Sequence, residues 1–182
     1  SSSGYWSGIS FSQSFIPATF IGGEYYDGSI IEYCTIEYGD KILSYGGFPY
    51  FNSVTIQNMK EYAIKANNSN GIDTDVVITN SSFLYNGNGI DCQISSQSNL
   101  RIIKNNNFIS NGINNNNGGN ILSINDADIS NNNFKGNSNY SYGNLVSGLN
   151  NHFHSNQVMN NNNIKISLNS STLNDNIFYK NT

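Results

Sequence analysis

The sequence predicts an all-β solenoid, a single-stranded parallel β-helix of about seven coils with an internal asparagine ladder. Three observations lead to this prediction. An apolar pattern recurs at steps of roughly 20 to 26 residues, a spacing typical of stacked repeat units. The segments between the turns alternate apolar and polar residues, as strands do. Asparagine supplies 36 of the 182 residues, whereas charged residues make up only 11%.

The repeat is nine residues long, with an apolar residue at the first and sixth positions and asparagine at the ninth. Three consecutive copies are clear, Ile78–Asn86, Ile103–Asn111 and Ile129–Asn137, and two looser copies follow at 153–161 and 173–181. Upstream, residues 31–39 keep the apolar spacing and residues 54–59 keep only the first half. The pattern thus begins at residues 31, 56, 78, 103, 129, 153 and 173. Such units bury their apolar faces only by stacking on one another.

Short alternating stretches at residues 76–80, 90–94, 121–123 and 164–168 indicate that each unit is made of strands. Each stretch is bounded by clusters of Asn, Gly and Ser, which favour turns. Apolar residues at helical spacing never persist over ten residues, and the strong helix formers Ala, Leu, Glu and Lys are scarce. Three short strands and three turns per unit describe one coil of a parallel β-helix.

These repeats resemble those of the right-handed parallel β-helix superfamily of the pectate-lyase type, over about residues 29–182. The segments Trp6–Phe11 and Gly28–Gly39 resemble the first coils of such domains in extracellular proteins. The resemblance implies a right-handed helix and an extracellular or cell-surface location. It does not imply one activity, because this fold is used by lyases, glycosidases, epimerases, adhesins and inert spacers.

Stacking the repeats in register predicts three columns of equivalent residues. The third position of the pattern is expected to point inward and to form the amide ladder: Tyr33, Asn58, Asn80, Asn105, Asn131, Ser155 and Asp175. The sixth position is expected to stack Phe83, Phe108 and Phe134 in the core. The ninth position, asparagine in most coils, is expected to lie at turns in the left-handed conformation.

The composition excludes several classes of function. A net charge of −4 leaves no basic surface for a phosphate backbone, so we expect no nucleic-acid partner. No apolar run approaches the length of a membrane span. Motifs for phosphate loops, Ser-His-Asp hydrolases and zinc clusters are absent from the sequence, and no cofactor is expected. Cys34 and Cys92 are predicted to lie two coils apart, too far for a disulfide.

The chain is predicted to form one β-helix domain, residues 1–182, with aromatic-rich first coils (1–62) and asparagine-rich later coils (63–182). A parallel β-helix exposes an open strand edge at each end unless another element covers it. We therefore expect the chain to be a segment of a longer protein or to stack on a partner, with neighbouring domains or subunits capping the terminal coils.

One part of the sequence is predicted to bring Asp, His, Ser and Lys side chains together on the surface. Outward positions of successive coils are predicted to place Asp128 beside His152, and Ser130 beside His154, with Lys104 one coil below Ser130 and Asp126 two residues before Asp128. A weak metal site (His152, His154 and Asp128) and a general acid–base site are the two functional interpretations. The alternative is a solvated sheet face with a chance pair of histidines, and on that basis no metal site is predicted. Arg101 is not expected to face these aspartates, so a lyase-type calcium site is not predicted.

Aromatic residues concentrate in the first coils, where 14 of the 23 fall within residues 1–62. Tyr25, Tyr26, Tyr45 and Tyr50 lie in or near loops, and exposed tyrosines beside hydroxyl and amide groups suit sugar stacking or a protein contact. A local cluster that caps the first coils is the alternative. The sequence therefore favours a non-catalytic extracellular module, structural or adhesive, that binds a glycan or a cell-surface protein. The second hypothesis is a polysaccharide lyase or glycoside hydrolase acting on an outer sheet face.

Overall fold

The computed structural model describes residues 4–12, 14–66, 74–92, 99–112, 119–138 and 143–182. The strands in the first half of the chain are β1 (Trp6–Phe11), β2 (Thr19–Ile21), β3 (Glu24–Asp27), β4 (Ile30–Glu32), β5 (Thr35–Glu37), β6 (Gly39–Ser44), β7 (Tyr50–Asn52), β8 (Thr55–Gln57), β9 (Tyr62–Ala66), β10 (Val76–Thr79), β11 (Ser82–Leu84) and β12 (Asn88–Cys92). Those in the second half are β13 (Arg101–Lys104), β14 (Asn107–Ile109), β15 (Leu122–Ile124), β16 (Asp128–Ser130), β17 (Asn133–Lys135), β18 (Val146–Leu149), β19 (His152–His154), β20 (Gln157–Met159), β21 (Ile166–Asn169), β22 (Thr172–Asn174) and β23 (Ile177–Tyr179). These described ranges contain no helix that could span a membrane.

The strands form three parallel sheets of seven strands each and one small hairpin. Sheet 1 has the order β1-β6-β9-β12-β15-β18-β21, sheet 2 the order β4-β7-β10-β13-β16-β19-β22, and sheet 3 the order β5-β8-β11-β14-β17-β20-β23. Each strand pairs with the strands one coil before and one coil after it, so the chain winds through seven coils of three strands. This arrangement confirms the predicted parallel β-helix. Parallel crossovers of this kind are right-handed in almost all proteins.

The core is built from three files of apolar side chains, one from each sheet. Sheet 1 contributes Ile42, Ile64, Ile90, Leu122 and Val146; sheet 2 contributes Phe51, Ile78, Ile103, Ile129 and Phe153; sheet 3 contributes Ile36, Ile56, Phe83, Phe108, Phe134 and Val158. The predicted phenylalanine stack is confirmed: ring centroids of Phe83 and Phe108 lie 5.0 Å apart, and those of Phe108 and Phe134 4.8 Å apart.

The corners after sheets 2 and 3 are made by single residues in the left-handed conformation. After sheet 2 these residues are Tyr33, Ser53, Asn80, Asn105, Asn131, Ser155 and Asp175, with φ between 51° and 59°. Asn58 makes the corresponding corner after sheet 3, with φ 55°. A residue in this conformation ends the strand and reverses the direction of the next side chain, so the residue after it points inward. Asn and Ser suit these corners because their short polar side chains tolerate positive φ.

The predicted ladder positions were therefore wrong, although an internal ladder exists. Asn80, Asn105 and Asn131 are exposed at corners, and Asn58 is half-buried at a corner of another column. The prediction treated the third position of the repeat as a continuation of the strand, which would place it on the inward face. The ladder lies one residue later, at Ser81, Asn106, Asn132 and Asn156, which are buried, and ends at the half-buried Asn176.

A second ladder follows sheet 3, at Asn86, Asn111, Asn137 and Asn161, which are buried, and ends at the half-buried Asn181. These ninth-position residues were predicted to adopt the left-handed conformation, and this was also wrong. The left-handed residue is the one before each of them, such as Tyr85 before Asn86 and Ser110 before Asn111. Both corrections have one cause, which is the change of side-chain direction at a left-handed corner.

The bonds of Asn132 show how a ladder residue is satisfied. Its Oδ1 accepts from the backbone N and from Nδ2 of Asn106 at 2.9 Å and 3.1 Å. Its Nδ2 donates to the carbonyl of Ile103 at 2.7 Å and to Oδ1 of Asn156 at 3.0 Å. A buried amide has two acceptor and two donor positions, and here all four are used. The ladder therefore closes the corners without leaving polar atoms unsatisfied in the core.

The second coil is in a different register from the one predicted. Phe51 pairs with Ile31 on one side and with Ile78 on the other, so the repeat in this coil begins at residue 51 rather than at 56. Equivalent residues of neighbouring coils in sheets 2 and 3 are then separated by 20 to 27 residues. The register was missed because Val54-Thr-Ile56 also alternates and lies in the following sheet.

The two cysteines are unpaired, as predicted: Cys34 is exposed and Cys92 is buried. They are three coils apart rather than two, since Cys34 lies between β4 and β5 of the first coil and Cys92 ends β12 of the fourth. Burial raises the pKa of the Cys92 thiol, and the nearby Asp91 raises it further. Cys92 is therefore a core residue in its neutral form.

Candidate functional site

The outer face of sheet 2 carries two parallel rows of side chains, because alternate residues of each strand point away from the core. The first row is Ile30, Tyr50, Val77, Ile102, Asp128, His152 and Thr172. The second row is Glu32, Asn52, Thr79, Lys104, Ser130, His154 and Asn174. Neighbouring strands are about 4.8 Å apart, so each row repeats at that spacing along the helix. Asp128, His152, His154 and Tyr50, all predicted functional residues, lie in these two rows.

At one end of the face, Asp128, His152 and His154 form a compact cluster. The structure pairs Asp128 with His152, and Ser130 with His154, as the sequence predicts. Nε2 of His154 lies 3.0 Å from Oδ1 of Asp128, and the two imidazole rings stack with centroids 4.2 Å apart. One potential ligand atom from each of the three residues lies within 4.8 Å of the others. The cluster can therefore act as a carboxylate–imidazole pair or as a metal site.

The remaining residues predicted for this cluster have other surroundings. Lys104 is exposed and pairs with Ser130 across one coil step, as predicted. Asp126 lies at a left-handed corner, where its carboxylate contacts Nη1 of Arg101 at 3.3 Å and accepts from Nδ2 of Asn150 at 2.9 Å. The expectation that Arg101 does not face these aspartates was thus wrong for Asp126. The Arg101 side chain is fully buried at the corner between sheets 1 and 2, where it also donates to the carbonyl of Asn125.

At the other end of the face, three aromatic rings form a cluster. The hairpin β2–β3 lies over sheet 2 and packs Phe20 and Tyr25 against Tyr50 of β7. The rings of Tyr25 and Tyr50 stack with centroids 5.8 Å apart, and Phe20 meets Tyr50 edge-on at 5.3 Å. Tyr25 keeps 37% of its surface exposed. We call Phe20, Tyr25 and Tyr50 the aromatic patch.

Hydrogen bonds hold the two tyrosines of the aromatic patch in place. The Tyr25 hydroxyl donates to the carbonyl of Gly28 at 2.6 Å, and the Tyr50 hydroxyl is 2.8 Å from Oγ1 of Thr79. Thr79 Oγ1 donates in turn to Oδ1 of Asn52 at 3.1 Å, and Nδ2 of Asn80 donates to the same oxygen at 3.0 Å. An ordered row of hydroxyl and amide groups therefore borders the rings.

The four tyrosines singled out from the sequence do not share one surface. Tyr25 and Tyr50 meet in the aromatic patch, whereas Tyr26 occupies the opposite side of the hairpin and is 68% exposed. Tyr45 lies in the loop that follows β6, where its backbone N donates to the carbonyl of Phe11. Phe20 was missed by the sequence analysis, because only the folding of the hairpin onto sheet 2 brings it to Tyr50.

A second polar row, on the outer face of sheet 1, was also missed. Asp91 pairs with Lys65 on one side and Ser123 on the other, and Ser123 accepts a hydrogen bond from Ser147 at 3.1 Å. Burial raises the pKa of the Asp91 carboxyl, and Lys65 opposes that shift. Nothing in the local sequence marks these residues as neighbours, because they lie in four different coils.

Comparisons with protein-family models, curated proteins and solved structures gave no match.

Proposed function

We propose that this chain is a non-catalytic β-helix module, located outside the cell or at its surface, that binds a neutral glycan on the outer face of sheet 2. The observation that carries the proposal is the aromatic patch and the ordered row of Asn52, Thr79 and Asn80 beside it. The extracellular location follows from the resemblance of the repeats to those of extracellular β-helix proteins.

The aromatic patch combines the two kinds of group that sugars need. A sugar ring presents apolar C–H faces and polar hydroxyl edges, and aromatic side chains bury the former while hydroxyl and amide groups bind the latter. Tyr25 offers a half-exposed ring whose orientation is fixed by its bond to Gly28. Because the rings are ordered before binding, little conformational entropy is lost when a ligand stacks on them.

The charge of the surrounding residues favours a neutral ligand. Glu32, which is exposed, pairs with Asn52 in the second row, and Asp27 ends the hairpin strand β3. A uronate or a sulfated sugar would bring like charge toward these carboxylates, and like charges repel. Neutral glycans avoid this repulsion and still use every group of the patch.

Binding of neutral glycans to the full chain tests this proposal. We expect saturable binding of a neutral oligosaccharide on a glycan array, followed by titration calorimetry. Tyr25→Ala is expected to weaken binding by about 2- to 10-fold, since losing one aromatic contact costs about 0.5–1.5 kcal/mol. Tyr25→Phe keeps the ring and is expected to retain most of the affinity.

Tyr179→Ala is the matched control, because Tyr179 is 53% exposed in β23 of the last coil, far from the aromatic patch. Circular dichroism of each variant establishes that the β-helix is intact. Equal binding by the Tyr25→Ala variant and the native chain would contradict the proposed site. Absence of any glycan binding by the native chain would overturn the proposed glycan-binding role.

A polysaccharide lyase or glycoside hydrolase is the second candidate, and the 3.0 Å contact between His154 and Asp128 favours it. A carboxylate that orients an imidazole is a common acid–base arrangement. This candidate predicts cleavage of uronate-containing or neutral polysaccharides, with activity lost in both His152→Ala and Asp128→Ala. Binding at the aromatic patch without cleavage supports the non-catalytic module instead.

A further inference from the structure

We propose that Asp128, His152 and His154 form a binding site for a divalent transition-metal ion of the zinc class. This site lies on the same outer face of sheet 2 as the aromatic patch but shares no residue with it. Three coil steps separate β7, which carries Tyr50, from β16, which carries Asp128, or about 14 Å along the helix. The inference is therefore independent of the proposed glycan binding.

The backbone sets the positions of all three ligands. His152 and His154 are two residues apart in β19, so both point away from the buried Phe153 that separates them. Asp128 is the residue of β16 that pairs directly with His152. Because these positions are fixed by sheet hydrogen bonds, the donor atoms are brought together without any loop having to close.

The distances are close to those that a metal ion requires. Nitrogen and oxygen ligands bind zinc at about 2.0–2.2 Å, which places two ligands of a tetrahedral ion about 3.3–3.5 Å apart. Nε2 of His154 and Oδ1 of Asp128 are separated by 3.0 Å, and all three donor atoms lie within 4.8 Å of one another. The His152 side chain is exposed, so its ring is free of close packing.

A neighbouring hydroxyl can orient the imidazole of His154. Nδ1 of His154 lies 3.3 Å from Oγ of Ser155, so this hydroxyl can accept from the Nδ1 proton while Nε2 binds the metal. Metal-bound histidines usually bond a second partner through the other ring nitrogen, which fixes the tautomer.

The donor set selects the class of ion. Two imidazole nitrogens and one carboxylate oxygen suit zinc and related transition metals, whereas calcium and magnesium prefer oxygen ligands alone. Three protein ligands leave one coordination position for water or another small ligand.

Titration of the metal-free full chain with zinc chloride, followed by calorimetry, tests the site. We expect one zinc ion per chain, and tetrahedral coordination in the absorption spectrum of the cobalt-substituted protein. Losing a residue that only hydrogen-bonds to a metal ligand typically weakens metal binding 10- to 100-fold. Removing one of the three ligands themselves is expected to weaken zinc binding by more than this. The variants are His152→Ala, His154→Ala and Asp128→Asn, all at the surface and therefore compatible with folding.

Asp175→Asn is the control, because it removes the same charge from an exposed corner residue two coils away from Asp128. It is expected to bind zinc as the native chain does. Absence of saturable binding to the native chain would overturn the proposal. Native affinity in all three ligand variants would overturn it as well, since the ion would then be bound elsewhere.

Discussion

The free energy of unfolding of the Asn132→Ala variant is expected to be about 3 kcal/mol lower than that of the native chain. Each buried polar group that loses its partner costs about 1–3 kcal/mol. The substitution takes an acceptor from the backbone N of Asn106 and a donor from the carbonyl of Ile103. Asn132 is only 1% exposed, so the protein must satisfy these groups internally. For a chain of this length the melting temperature should fall by about 6–12 °C.

The neighbouring residue provides the control. Asn131 has the same side chain but is exposed at a left-handed corner with φ 55°. Glycine adopts positive φ without steric cost, so Asn131→Gly is expected to change stability by no more than about 0.5 kcal/mol. Asn132→Ser should fall between the two, since Ser81 occupies the equivalent place in an earlier coil and accepts from the backbone N of Val54 at 3.2 Å.

Thermal and denaturant unfolding, followed by far-UV circular dichroism, measures these differences. Midpoints should be compared, because solenoids need not unfold in one step. A loss of stability of the same size in Asn131→Gly and in Asn132→Ala would refute the assignment of the buried ladder. So would an Asn132→Ala variant as stable as the native chain.

The sequence alone predicts the sheets of this structure and the side chains that stack along them. The apolar spacing of the repeat predicts the three sheets and the stack of Phe83, Phe108 and Phe134, because a file of side chains forms wherever strands pair in register. It also predicts that Asp128 meets His152 and that Ser130 meets His154. These predictions hold because they depend only on counting equivalent positions from coil to coil.

The prediction fails where the backbone departs from regular strand geometry. Alternation assigns Asn80, Asn105 and Asn131 to the core, but each adopts the left-handed conformation, and the buried position moves to the next residue. In a run such as Asn105-Asn106-Asn107 the three side chains are chemically identical. Only the conformation at the corner decides which of them is buried.

The aromatic patch was beyond prediction for another reason. Phe20 and Tyr25 belong to a hairpin, and their contact with Tyr50 arises when that hairpin folds back onto sheet 2. The hairpin is not part of the repeat, so the repeat does not predict where the hairpin packs. The tyrosine-rich composition indicated a binding surface in the first coils, but only the structure separates Tyr25 and Tyr50 from Tyr26.

Phe108→Ala is expected to cause the largest loss of stability among single substitutions in the core, about 3–5 kcal/mol. Phe108 is fully buried, and its ring lies between those of Phe83 and Phe134, with interplanar angles of 14° and 7°. Truncation removes both ring contacts and leaves a cavity that neighbouring coils cannot close, because their strands are fixed by sheet hydrogen bonds. Phe108→Leu fills part of the space and should cost less.

Two comparisons separate the packing of the stack from a general sensitivity of this coil. Ile109→Ala changes the next residue of β14, whose side chain points away from the core and is only half-buried, so a smaller loss is expected. Phe178 occupies the same column as Phe108 in the last coil and is 51% exposed. Its replacement by alanine should cost about 1 kcal/mol, since only part of the ring is removed from water. Equal losses of stability in the Phe108→Ala and Ile109→Ala variants would show that the stacked rings are not the main interaction that holds these coils together. The hydrogen bonds of the sheets and ladders would then supply most of that stability.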